Sequence, residues 1–366
     1  MPIRLARYVL LRYLRTCAVI EVAVVCIYLA IDFTDRAHLY KGPHVLPYVS
    51  LLYACKALGV GYQLLPASML LAAGACLSTL RRTGELTAMG ALSVRPAWIY
   101  GAIFSGGVLC VALTFALQEV PVRARAPRSV YGWAGQQVDV ISARRFSQWG
   151  DFGTWYDPRR WFRGRDHIYL LRRGVGAGFD DVSIFTLTPD FHLAARLDAA
   201  RMEPVDGGAW RLRRGARRTF PRDGQSTFEP FQSRVVRFPE DPGAFRLRVG
   251  RPEQLTLPAL RDEVARRERL GLDTTGYRLA EQSALAYPSL GLPAALLAAA
   301  LALRRKRKGH LTAALLEGVG VVAVLWCGTV LCRAAASAGT LSPAAAAWIP
   351  VAVLALAAGA AIAVLD

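Results

Sequence analysis

At 366 residues, 54% of them hydrophobic, the chain carries more apolar sequence than a single soluble core of that length would bury, so membrane insertion is the leading reading. Its formal charge of +18 raises nucleic acid as a partner, but much of that charge sits beside apolar runs, as positive-inside sorting requires, and no nucleic-acid partner is expected. The seven cysteines, Cys17, Cys26, Cys55, Cys76, Cys110, Cys327 and Cys332, all lie in or beside apolar runs, so no disulfide framework or zinc site is implied and they read as small packing residues.

The apolar runs fall near Cys17–Phe33, Ala57–Leu80, Ala97–Gln118, Ser283–Leu303, Thr312–Leu331 and Ala344–Leu365, each about the ~20 residues needed to cross a hydrocarbon core. They predict three spans, a long polar middle and three further spans. Arg4, Arg7, Arg12 and Arg15 precede the first span within a limited helical arc, which predicts a basic helix lying on the inner membrane surface. The first run does not read as a cleaved signal peptide, because Glu21 interrupts it and no small-residue cleavage pattern follows. A carboxylate at that depth costs about 2.5–3.5 kcal/mol, so Glu21 should face protein or a polar cavity, or lie near the interface and be answered by Arg15. Beyond the short loop Asp32–Tyr48, Lys56 is placed to snorkel to the outer interface, and Pro66 to kink the second span.

Between the second and third spans lies Arg81–Pro96, RRTGELTAMGALSVRP, whose arginines place it in the cytoplasm. Thr83 is positioned to cap a short helix over Gly84–Leu92, only ~14 Å long, with Glu85 in its first turn and Leu86, Ala88 and Met89 as a small apolar side. The segment is either a charged turn between two spans or a docking helix for a cytoplasmic partner.

After Pro121 the periodicity changes. HIYLLRR, DVSIFTLTP, HLAARLDAARMEP, AWRLRRGARRTF and FQSRVVRFP show partial period-two alternation between turn residues, with Asp206-Gly207-Gly208 as a hairpin signal, and predict an antiparallel sandwich or open barrel with an apolar interior. This middle domain is arginine-rich without a lysine between Glu119 and Glu281, a surface read as solvated charge with anionic lipid or phosphate as the alternative. From Leu257 to Leu270 a charged helix leads back to the membrane. The basic segment Arg304–Lys308 then places the loop after the fourth span, and both chain ends, on the cytoplasmic side. Glu317 and Arg333 fit interfacial positions at opposite ends of the fifth span.

Motifs of catalysis are missing. The sequence has no G-x-x-x-x-G-K-[ST] loop, no G-x-S-x-G elbow and no H-E-x-x-H pair, and its five histidines, His38, His44, His167, His192 and His310, are scattered. Gly174, Gly176 and Gly178 precede a strand where a phosphate cradle would open a helix. No enzyme activity, cofactor or metal is expected, and energy for transport must enter from another protein.

LLPASMLLAAGACLSTLRRTGELTAMGALS resembles the second span and coupling helix of the LptF/LptG family of lipopolysaccharide-export permeases, subunits of an ABC transporter. QEVP, DGGAWRLRRGARRTF, YRLAEQSALAYPSLGLPAALLAAALAL with its basic loop, and SPAAAAWIP agree in order, so the resemblance covers nearly the whole chain. ELTAMGALS leans towards the LptG type. The resemblance implies a helical membrane protein with six transmembrane helices, three on each side of an inserted periplasmic β-jellyroll. The expected domains are 1–118, with the coupling helix near 83–92; 119–281; and 282–366. It implies an inner-membrane location, a heterodimer with a paralogous permease, and a cytoplasmic ABC ATPase dimer that hydrolyses the ATP. The remaining partners it implies are a periplasmic bridge of jellyroll fold, with a single-span membrane subunit as a further candidate, and lipopolysaccharide as cargo. The coupling contact carries over to Arg82, Thr83, Gly84, Glu85, Leu86 and Met89, with Glu85 on the family's acidic position. For lipid phosphates the candidates are Arg36, His38, Lys41 and Lys56, although Asp32 and Asp35 stand where basic residues are usual. A scaffold membrane protein docking a periplasmic partner, or a permease for another lipid, are the alternatives; lipoprotein-release permeases, with one span, a domain and three spans, fit less well.

Overall fold

The computed structural model describes residues 2–40, 45–121, 129–145, 159–164, 167–173, 178–188, 190, 192–205, 208–221, 224–240, 251–269, 272–304 and 311–364. The helices are α1 (Pro2–Arg36), α2 (Val45–Arg82), α3 (Glu85–Ala91), α4 (Pro96–Glu119), α5 (Val130–Arg145), α6 (Leu257–Arg269), α7 (Thr275–Ser289), α8 (Gly291–Arg304), α9 (Leu311–Ser337) and α10 (Pro343–Ala363). Among the described residues, six helical segments are long and apolar enough to cross a membrane: Ile3–Leu39, Val45–Arg82, Pro96–Glu119, Thr275–Arg304, Ala314–Ser337 and Pro343–Ala363. With six strands in the middle of the sequence, the chain is a helical membrane protein with an inserted β domain.

The chain forms two compact units, residues 1–142 with 251–265 and 273–366, and residues 143–250 with 266–272. In the helical unit the core is built from α1, α2, α4, α8 and α10, with Tyr13, Met69, Leu80, Ile103 and Ala299 fully buried. Small residues let these helices approach closely. A Cβ on Gly106 of α4 would lie 2.6 Å from the Tyr13 ring, so that glycine is the notch into which α1 packs. The fourth span breaks at Leu290 between α7 and α8, one residue beyond Ser289 and two beyond Pro288.

Packing is uneven among the spans. Of the most apolar stretch of α2, 61% is buried, against 6% in α1 and 6% in α9. At about 1.5 Å per residue the 35 residues of α1 extend well past a ~30 Å hydrocarbon core. α1 runs unbroken from Pro2 to Arg36, so the N-terminal arginines lie on the same helix as the first span. Glu21 lies against α2: its Oε1 is 3.3 Å from where a Gly61 Cβ would sit, and its Oε2 has no hydrogen-bond partner among the described residues.

In the other unit β1 (Arg159–Arg163), β2 (His167–Arg173), β3 (Phe179–Leu187), β4 (Leu193–Val205), β5 (Ala209–Thr219) and β6 (Thr227–Val236) form one antiparallel sheet in sequence order. Tyr169, Val182, Ile184, Ala199, Met202, Trp210 and Leu212 make its apolar cluster; Ala199 and Met202 are three apart, so the alternation slips by one across the sheet, beside Asp181 and Arg214 at positive φ. Bulges shift the register between Leu170 and Arg172 and between Thr186 and Leu187. The expected hairpin residues Asp206 and Gly207 lie outside the described residues; Gly208, at φ 76°, directly precedes β5.

Two elements were not expected. β1, RRWFR, is too arginine-rich to read as a strand. α5, VYGWAGQQVDVISARR, has two glycines and no continuous apolar stripe, so its periodicity carries little signal. Its start is nevertheless marked: Ser129 accepts a hydrogen bond from the Gly132 amide at 3.0 Å, a side-chain N-cap. Downstream, Gln254 Nε2 donates to Asp139 at 3.1 Å and fixes α5 against the short turn Pro252–Gln254.

Candidate functional site

The polar interruption between the second and third spans folds as a two-residue hinge, a seven-residue helix and a tight exit. Gly84 carries the reversal at φ 78°, a left-handed conformation that glycine adopts at no steric cost. Thr83 does not cap α3. Its hydroxyl lies 3.1 Å from the Leu80 carbonyl and 2.8 Å from Glu85 Oε1, so it serves the end of α2 and the Glu85 carboxylate. At the exit, Val94 N–H donates to Met89 O and Ser93 N–H to Gly90 O, a Schellman closure with Ser93 at φ 55°. Met89 is buried, Leu86 packs against the core and Ala88 is exposed, so the apolar side of α3 is Leu86 and Met89 alone. Arg81 Nη2 donates to the Leu303 carbonyl at 3.0 Å and ties the end of α2 to α8, while Arg82 is exposed.

Glu85 is the polar centre of the segment. Its Oε2 accepts from the Tyr8 hydroxyl at 2.7 Å, and its Oε1 accepts from Arg12 Nη1 at 2.8 Å. Arg12 also donates to the Tyr8 hydroxyl, closing a triangle between α1 and α3. The Tyr8 hydrogen bond is the largest influence holding the Glu85 carboxyl below the usual carboxylate range; Thr83 and Arg12 act in the same direction, against the cost of desolvation. Arg12, read from sequence as membrane-surface charge, is therefore an ion-pair partner of the segment between the second and third spans. Nothing in the local sequence joins positions 12 and 85, which is why the pair is invisible before the spans are packed.

At the opposite ends of α1 and α2 a second polar cluster forms. Lys56 Nζ lies 2.6 Å from Asp32 Oδ2, with side chains only 12% and 10% exposed, so Lys56 is a largely covered ion-pair partner of Asp32. Tyr53 donates to the same oxygen at 2.9 Å, and Arg36 Nε lies 3.1 Å from Asp32 Oδ1. Phe33 stacks on Tyr40, and Tyr53 meets both rings edge-on beside the pair. Arg36, Asp32 and Lys56 are thus brought together, with His38 exposed on the turn Ala37–Leu39 that follows; Lys41 lies outside the described residues. Among the described residues no cluster of three or more His, Cys, Asp or Glu side chains is arranged to hold a metal.

A family model, the lipopolysaccharide export system permease LptF/LptG, matches residues 7–363. The chain belongs to the LptF/LptG family. Comparison with curated proteins gives no match. Membership makes this chain the membrane component of a transporter and not a catalytic enzyme, and with its six apolar helices a multi-pass inner-membrane protein. It also implies an ABC transporter with partner subunits. In this LptF/LptG chain α3 lies between the second and third spans.

Proposed function

We propose that this chain is one permease half of a lipopolysaccharide exporter, drawing the lipid from the inner membrane and passing it through its β domain towards a periplasmic bridge. The observation that carries the reading is the family match across residues 7–363, with α3 as a separate short helix between two spans. In this reading residues 1–118 and 282–366 are membrane halves, 119–281 the periplasmic part, and both termini and α3 are cytoplasmic. A cytoplasmic ABC ATPase dimer docks on Arg82, Thr83, Gly84, Glu85, Leu86 and Met89. ATP-driven closure moves α3, narrows the cavity between this chain and its paralogue, and expels the acyl chains. The sparse burial of α1 and α9 supports a paralogous subunit as their cover. Exposed Arg36 and His38, with Lys41, meet lipid phosphates, and Lys56 fixes Arg36 through Asp32.

The test is Glu85→Ala in the assembled transporter. Removing a charge-assisted contact of about 1.5–3 kcal/mol should lower ATPase co-purification and lipid release by roughly tenfold or more while membrane insertion stays normal. Normal co-purification together with normal release would refute the assignment.

A further inference from the structure

Both oxygens of Glu85 are engaged by α1, so the helix that receives the ATPase in the reading above is strapped to the first span as well as to the two spans it connects in sequence. Tyr8 and Arg12 are one helical turn apart and therefore share a face of α1. The rotation that turns this face to α3 is fixed by neighbouring side chains: Val9 and Tyr13 are 1% and 0% exposed, and Tyr13 sits in the Gly106 notch of α4. On the other side, Leu86 and Met89 seat α3 in the helical core. The contact is thus rigid on both flanks. Beyond it α1 stays against α2 along one face, with Glu21 beside Gly61 and Asp32 on Lys56, while only 6% of its most apolar stretch is fully buried.

We infer that Tyr8 and Arg12 are positioning residues for energy coupling, which hold Glu85 in place for the ATPase and carry the movement of α3 into the first span. The inference rests on the coupling role proposed for α3. The strap is ionic and partly exposed, with side-chain exposures of 26% for Arg12 and 32% for Glu85, so it holds position without locking the two helices together.

The experiment measures ATP hydrolysed per lipid released by the complete transporter in lipopolysaccharide-containing vesicles. Arg12→Gln should raise that ratio by about fivefold, the lower end of ordinary coupling between sites. Arg12→Lys, which keeps the charge, should recover at least half of the loss. Tyr8→Phe keeps the ring and removes only the hydroxyl, so it gives the same readout if the Arg12 variants do not assemble; it should raise the ratio too. An unchanged ratio in Arg12→Gln or in Tyr8→Phe would overturn the strap, as would Lys performing no better than Gln. Failure of the α3 reading itself shows differently, as a Glu85→Ala transporter that binds its ATPase and releases lipid normally.

Discussion

Glu85 shows how one side chain can hold two partners in sequence and space. Because Tyr8, Thr83 and Arg12 keep its carboxyl below the ordinary range, its contribution to the α1–α3 contact is fully present above the usual glutamate value of about 4.3, and is lost only as pH falls through the lower folded value. The expected outcome is a thermal-stability difference between the native chain and Glu85→Gln that stays constant from pH 7 down to about pH 5 and shrinks below it. A difference that already collapses near pH 6 would show that Glu85 is not the titrating group. The position and acidity of Glu85 were legible from its place in the first turn of a short helix. Its partners were not, because Tyr8 and Arg12 are 77 and 73 positions away.

At the scale of elements, the spans were legible because about 20 consecutive apolar residues have no other stable use. β2 to β6 were legible because one face of a sheet must alternate with the other. β1 and α5 lacked such patterns and are held by neighbours: β1 pairs along Arg159–Arg163 with β2, and α5 is capped by Ser129 and tied to Gln254. Helix packing depends on single notches that no periodicity reports. Gly106→Ala would place a methyl 2.6 Å from the Tyr13 ring, and an aromatic ring cannot yield as a flexible chain end would. It is expected to cost about 1–3 kcal/mol, the range for overpacking, read as a lower midpoint of thermal unfolding in detergent. A neutral result would mean that α1 does not pack on α4 at this point.

For the whole molecule, uneven burial is the main physical fact. α2, α4 and the fourth span are enclosed by this chain's own helices, while α1 and α9 expose apolar faces, with Val22 62% and Val324 74% exposed. If the paralogous subunit covers them, photo-cross-linkers placed at Val22 and at Val324 should each capture that subunit in the assembled transporter. Capture of lipid alone at both positions would remove α1 and α9 from the subunit interface.

By itself the sequence determined the class of the protein: apolar runs, charge bias and motif order are local properties, and they lead to a six-span membrane chain with an inserted β domain and to the family that the match over residues 7–363 shows. Only the tertiary structure decided how polar groups in and beside the spans are satisfied. Lys56 answers Asp32, and Arg12 with Tyr8 answers Glu85. Each pairing joins different helices, so it depends on the rotation and depth of both partners. Those are set by packing contacts such as Tyr13, next to Arg12 on α1, in the Gly106 notch of α4.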